Sequence, residues 1–199
     1  MSESTTTRDL ILQEAAHLFR QNGYLGTNLR DLAARVGIKG GSIYHHFASK
    51  QDILCEVMMQ TMDEMIARLG EALEEAETPS DMLVNMVRFH IDYIVTGADR
   101  AYVTDDELRN LEPDNYREVV ARRDRYQRMV EEIFERGIEE ENWQVADVKL
   151  CAKALIKACA GVASWYRPEG GRTLREIADI YAGLFLQGLR PRPQMSTAG

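Results

Sequence analysis

Residues 27–54 read TNLRDLAARVGIKGGSIYHHFASKQDIL, and the glycines and capping residues in this stretch divide it into three helices. Thr27 is placed to cap a helix whose apolar residues Leu29, Leu32, Ala33 and Val36 recur at near-helical spacing, and Gly37 supplies the residue tolerant of positive φ that stops it. A tight turn follows, and Lys39, Gly40, Gly41 and Ser42 open a second helix. In that helix Ile43 and Phe47, four apart, face inward and leave Lys39, Ser42, Tyr44 and His45 outward. Ser49 and Asp52 form a capping-box pair that starts the next helix. Two helices joined by a tight glycine turn, the second with a polar outer face, make the layout that sets a helix into the major groove of DNA.

The chain of 199 residues is 45% apolar and 8% aromatic, ordinary for a globular protein, and its formal charge is −8. That balance argues against nucleic acid until its distribution is read. Residues 1–50 hold six cations, Arg8, Arg20, Arg30, Arg35, Lys39 and Lys50, against Glu3, Asp9, Glu14 and Asp31, a net of +2 that leaves −10 to the remainder. A basic head on an acidic body fits this asymmetry. Cys55, Cys151 and Cys159 show no metal-type spacing, and the last two, eight apart on one expected helix, are separated by roughly 12 Å of rise, too far to bridge. They are expected to be reduced thiols. No apolar run reaches the roughly 18 residues of a membrane span, and the polar N-terminus lacks the regions of a signal peptide, so a cytoplasmic protein without membrane contact is expected.

The remaining segments also read as helix, giving an all-α chain of about nine helices with no run that suggests a sheet. The first, residues 7–22, presents Ile11, Ala15, Leu18 and Phe19 on one face and ends at Gly23. A helix over 50–75 leads out of the head, and helices over 79–97, 99–111 and 113–140 follow. The last two, 147–166 and 173–190, are expected to pair with a second copy as a four-helix bundle through Leu155, Cys159 and Val162 on one and Ile177, Tyr181, Leu184 and Phe185 on the other. A homodimer also follows from palindromic DNA, because one short helix reads few base pairs. The expected division is a DNA-binding domain over 1–50, a ligand-binding and dimerisation domain over 51–190, and a disordered tail over 191–199.

The head resembles the helix-turn-helix of the tetracycline-repressor (TetR) family of bacterial regulators, on Thr27, Arg30-Asp31-Leu32-Ala33, Gly37, Tyr44-His45-His46-Phe47 and Ser49-Lys50. It departs from that pattern at Asn28, where a second hydroxyl is common, and at Gln51, where an acid usually stands. The resemblance implies a repressor of double-stranded operator DNA released by a small-molecule inducer. Thr27, Tyr44, His45 and Lys50 are the candidate phosphate contacts, beside Asn28 at the same helix start. Lys39 is the candidate base reader, Gly40 and Gly41 permit close backbone approach, and Ser42 can donate or accept. Competing structural readings pack the Tyr44 ring under the following helix and leave Lys50 as a solvated charge, although a cation at a helix N-terminus is unfavourable unless an anion lies near. Of His45 and His46, about 100° apart on a helix, one faces DNA and the other supports it.

A second resemblance, over residues 130–190, is to the subset of that family responding to acyl-CoA thioesters from fatty-acid or steroid catabolism, on Trp165-Tyr166-Arg167-Pro168, Gly170-Gly171 and Gly137-Ile138-Glu139-Glu140. Such a ligand needs an apolar slot, for which Met58, Met62, Met65, Met86, Phe89 and Tyr93 are candidates. It also needs cations for its phosphates, for which Arg109, Arg122, Arg123 and Arg167 are candidates, with His90 and Trp165 as further ligand contacts. The structural alternatives are core methionines, a solvated arginine face, a satisfied core His90, and Trp165 with Arg167 sealing the dimer. A cationic drug or dye is the alternative inducer, and a non-switching architectural DNA protein the alternative function. An enzyme is not expected: His17, His45, His46 and His90 give no zinc pair, no G-x-S-x-G elbow occurs, and no phosphate loop follows a strand, so neither metal nor cofactor is called for.

Overall fold

The computed structural model describes residues 6–189, so the expected 191–199 tail lies outside the described residues. Among them are eight α-helices and two short 3-10 helices and no strand: α1 Thr7–Gly26, α2 Leu29–Val36, a 3-10 helix Gly40–His45, α3 Lys50–Glu74, α4 Pro79–Thr96, α5 Ala98–Asp106, a 3-10 helix Leu108–Asn110, α6 Pro113–Glu141, α7 Val148–Trp165 and α8 Leu174–Leu189. The chain divides into two compact units, one of residues up to 65 with 97–124, the other of 66–96 with the residues from 125 on. The head therefore does not stop at residue 50. Its core of Ile11, Leu12, Phe19, Leu32, Ile43, Phe47, Ile53, Leu54, Val57 and Met58 also takes in Val103, Leu111 and Val119 from α5, the turn after it and α6. A three-helix head has little apolar surface to bury on its own, and the later segment supplies the missing wall.

Local chemistry sets the ends of these helices. A reciprocal Thr6–Asp9 capping box opens α1, and the hydrogen bonds from Thr6 hold the Asp9 carboxyl below the usual carboxylate range. At Gly23 the backbone turns to φ 72, ψ 160, which ends the regular helix before a last turn of Tyr24–Gly26. Thr27 does not cap α2. Its hydroxyl points back into α1, donating to the carbonyls of Gly23 at 2.9 Å and Leu18 at 3.2 Å, and Asn28 takes the cap by accepting from the Asp31 amide at 2.9 Å. Gly37 closes α2 in the left-handed region at φ 77, as expected. The next helix is 3-10 rather than α, because six residues beginning with two glycines and lacking a side-chain cap cannot repay α-helix nucleation. Ile43 still anchors it and Phe47 follows into the core. Ser49 and Asp52 cap α3 reciprocally at 3.0 and 3.1 Å.

In the second unit α4 packs against both α7 and α8. Thr78 with Asp81, Asp147, and Thr173 with Glu176 cap these three helices. Leu83, Met86, Val87, Val130, Ile133 and Phe134 are buried together with Leu155, Cys159, Val162 and Ile177. Those last four residues, expected at a dimer interface, belong instead to the core of their own protomer. Helical periodicity finds an apolar face but does not say which element covers it, and here α4 claims it. Burial pushes the Cys159 thiol up to about 12, and the Cys55 thiol, buried in the first unit, is also raised.

Gly137 is fixed by its neighbour rather than by its backbone. A Cβ there would fall 2.1 Å from the Trp143 ring, which packs edge-on against Phe134 and donates from Nε1 to Glu141 at 3.0 Å. Gly137→Ala should therefore destabilise by about 1–3 kcal/mol through overpacking, read as an earlier denaturant midpoint together with a shift in tryptophan emission. An unchanged midpoint would show that the ring moves aside freely.

Candidate nucleic-acid interface and ligand groove

Most cations of the head are committed inside it. Arg8 donates from Nε to Glu56 at 3.0 Å, pairs with the same carboxylate through a second nitrogen, donates to the His46 carbonyl at 2.7 Å, and stacks 4.3 Å over the Phe47 ring. Arg20 pairs with Asp99 at 2.8 Å and Arg35 with Glu14 at 2.6 Å. Lys50 lies with Nζ 2.8 Å from the Tyr24 carbonyl and 2.7 Å from the Thr27 carbonyl, 4.3 Å over the Tyr24 ring. Burial lowers its pKa from the usual lysine value. The negative ends of these carbonyl dipoles and the face of the Tyr24 ring offset the misplaced cation, so the structure gives Lys50 partners besides any phosphate.

Arg30 and Lys39 remain. Both are exposed, and neither has a hydrogen bond or ion pair among the described residues. Arg30 belongs to the run that carries the family resemblance but not to the DNA contacts expected from the sequence. Yet its place in the first turn of α2, where a cation opposes the helix dipole, is the same signal that draws attention to Lys50. Around Lys39, Gly40 and Gly41 are exposed with open space where a Cβ would stand, and Ser42 is half-buried. Tyr44 is 60% exposed, which places its ring outside the core. His45 is exposed and His46 half-buried, so of the two imidazoles His45 is the outward one. Asn28 is exposed at the start of α2, whereas the Thr27 hydroxyl is buried and already spent.

The residues expected to hold a ligand are divided between the two units. Met62 and Met65 are buried within the first unit. Arg122, in that unit too, pairs with Asp63 at 2.9 Å and Glu118 at 3.1 Å, while Arg123 bonds the Thr104 carbonyl at 2.9 Å and Asp105 at 2.8 Å. Arg109 is exposed on the second 3-10 helix. In the second unit Met86 is buried, and His90 shares a 2.6 Å hydrogen bond with Tyr126, whose hydroxyl burial keeps protonated well above the ordinary tyrosine range. The Arg68 guanidinium sits 5.5 Å and 5.4 Å from the ring centres of Phe89 and Tyr93.

Trp165 and Arg167, by contrast, share one open groove of about 390 Å³ with Tyr166, Gly170, Arg172, Ile177, Ile180 and Tyr181. Tyr166, Arg172 and Tyr181 line it beside them, the first two from the α7–α8 connection and the third from α8. No group of three or more metal-ligating side chains occurs among the described residues, and no helix there is long and apolar enough to cross a membrane.

Residues 11–57 match the family model described as bacterial regulatory proteins, tetR family, and residues 76–189 match the tetracyclin repressor-like C-terminal domain. The chain belongs to the TetR family. It is 27% identical over 190 residues, 94% of this chain and 93% of the other, to the HTH-type transcriptional repressor KstR2 of Mycolicibacterium smegmatis. The solved ketosteroid transcriptional regulator KstR2 of Mycobacterium tuberculosis superposes with a TM-score of 0.83 at 26% identity, covering 95% of this chain and 97% of that one. AibR, solved with isovaleryl coenzyme A and operator DNA, shares the fold at a TM-score of 0.83 and 23% identity, covering 90% and 97%. The TetR assignment makes the helix-turn-helix of this chain a DNA-binding element of a transcriptional regulator.

Lys50→Met would keep the apolar stem and leave the carbonyls of Tyr24 and Thr27 without their donor. The expected loss is about 1–3 kcal/mol of unfolding free energy, measured by urea titration. A variant as stable as the parent would mean that water replaces the ammonium without cost.

Proposed function

We propose that this chain is a repressor that grips operator DNA as a homodimer and lets go when a CoA thioester binds. Phosphate and base contacts come from the groups of the head that nothing else occupies, Arg30, Lys39, Ser42, Tyr44 and His45, and from Asn28, which is exposed although its side chain also caps α2 through Asp31, with the backbone at Gly40 and Gly41 close to the bases. The observation that carries the DNA half is the unpaired state of Arg30 and Lys39 beside four committed cations. Arg30→Ala and Lys39→Ala should each flatten the slope of log affinity against log salt by about one, whereas Lys50→Met should leave the slope unchanged even where affinity falls. A flattened slope for Lys50→Met would return that residue to the phosphate contacts.

Pairing of two copies uses the faces of α7 and α8 left open by the protomer. On α7 these are Leu150, Ala154, Ala158, Gly161 and Trp165, a stripe at helical spacing, and on α8 Ile180 and Leu184, with Tyr181 and Phe185 beside them. Leu150 is 64% and Leu184 62% exposed, a cost in water that a symmetric partner removes. The thioester reading is supported by the α7–α8 groove, where an indole and two guanidiniums offer a stacking face and anion donors, and by the similarity to KstR2 over nearly the whole chain. AibR indicates that the fold can carry a CoA thioester and operator DNA.

The test is fluorescence anisotropy of a labelled duplex, selected by the protein from random DNA, titrated with acyl-CoA thioesters and with the corresponding free acids. Release by a thioester alone is expected, and Arg167→Ala should raise the concentration for half-release about tenfold or more, as for loss of a charge-assisted hydrogen bond. Equal release by free acids, or none by any thioester, would overturn the ligand reading and leave the DNA reading intact.

A further inference from the structure

The corner between α1 and α2, residues 23–28, carries the start of the DNA-facing helix α2, and its one ring, that of Tyr24, is buried edge-on against Phe19. Leu25 in its middle is 80% exposed. Polar bonds add to that packing, and several come from chain far away in sequence. The Tyr24 amide donates to the buried carboxylate of Glu107 at 3.2 Å. Its phenol oxygen accepts from the Gln51 side-chain amide at 3.0 Å. The same Gln51 nitrogen donates to the Asn110 backbone carbonyl at 2.6 Å, and the Gln51 side-chain Oε1 accepts from the Glu112 amide at 3.1 Å. Glu107 also accepts from the Asn110 side chain, which closes the loop. Gln51 thus joins the first turn of α3, the α1–α2 corner and the connection from α5 to α6 through a single primary amide. A carboxylate in its place would have no proton to give the Asn110 carbonyl.

We propose that Gln51 and Glu107 are positioning residues for DNA recognition, acting through Tyr24 to brace the α1–α2 corner against residues 107–112 without touching DNA. The brace fixes the direction in which α2 leaves the corner, and with it the placing of Asn28 and Arg30. It rests on the reading that α2 and the following 3-10 helix face the duplex. Specific binding needs every contact in register, so a loosened corner weakens the selected site. Random DNA needs only charge, which the corner does not supply. Positioning is therefore separable from phosphate contact, and separable from a general loss of folded protein.

The experiment measures affinity for the selected duplex and for a random duplex, each across a salt series, with wild type, Gln51→Met, Tyr24→Phe and the double variant. Gln51→Met is near in volume and uncharged, so neither bulk nor charge repulsion enters. It should weaken the selected duplex about fivefold or more, the effect of a lost hydrogen bond or two, with little change on random DNA and the same salt slope. Tyr24→Phe should weaken it less, and the double variant should be no weaker than Gln51→Met alone, because both remove one shared bond. In the free protein, amide exchange at Glu112 should quicken in Gln51→Met. Equal losses on both duplexes, a flattened slope, or strictly additive effects would overturn the brace, even with Arg30 and Lys39 behaving as phosphate contacts. A wild-type protein whose affinity is independent of salt and of Arg30 and Lys39 would overturn both the brace and the interface it serves.

Discussion

The turn at Gly23 is the constraint on which the head depends. Its φ of 72 is a conformation that L residues rarely adopt, and it swings Tyr24 out of the line of α1 so that the next amide meets Glu107 and the next carbonyl meets Lys50. Both partners are costly. A carboxylate buried to 6% exposure and an ammonium with a lowered pKa are each stable only because the backbone groups of this corner, with Asn110, satisfy them. Removing a partner from such a site costs more than its net contribution, since the other group stays buried without it. The corner is thus specified by polar geometry as well as by the buried Tyr24 ring.

The same accounting changes what the basic head means. A net charge of +2 over residues 1–50 suggests a general attraction to DNA, but four of the six cations there are held by carboxylates or carbonyls of their own unit. Two cations are left to act outward, and the body is acidic. Long-range attraction is accordingly weak, and recognition must lean on the close contacts of a short helix, whose placement then matters more than its charge.

The features legible in the sequence are those fixed within a few residues. The Ser49–Asp52, Thr78–Asp81 and Thr173–Glu176 caps, the left-handed Gly37, the break at Gly23 and the inward Ile43 and Phe47 all follow from local spacing. What escaped depends on partners distant along the chain. Thr27 and Asn28 are both good caps, and the carbonyls of Leu18 and Gly23 decide between them. The carbonyls of Tyr24 and Thr27 that meet the Lys50 ammonium likewise leave no mark in the residues around it. The extent of the first unit, which takes in residues 97–124, has no local mark at all.

The apolar faces of α7 show the same limit and lead further. Its inward stripe of Ala152, Leu155, Cys159 and Val162 is buried against its own protomer, while the outward stripe of Leu150, Ala154, Ala158, Gly161 and Trp165 is small in the middle and large at the ends. Small residues let a second helix approach closely, and the large end residues add the area that a flat stripe lacks. Trp165 and, on α8, Ile180 and Tyr181 belong at once to this outward surface and to the α7–α8 groove. An occupant of the groove therefore bears on side chains that the proposed pairing also uses. Ligand and dimer geometry then share residues, and a ligand that prefers one arrangement of those side chains shifts the pairing with it, the differential contact that a switch requires.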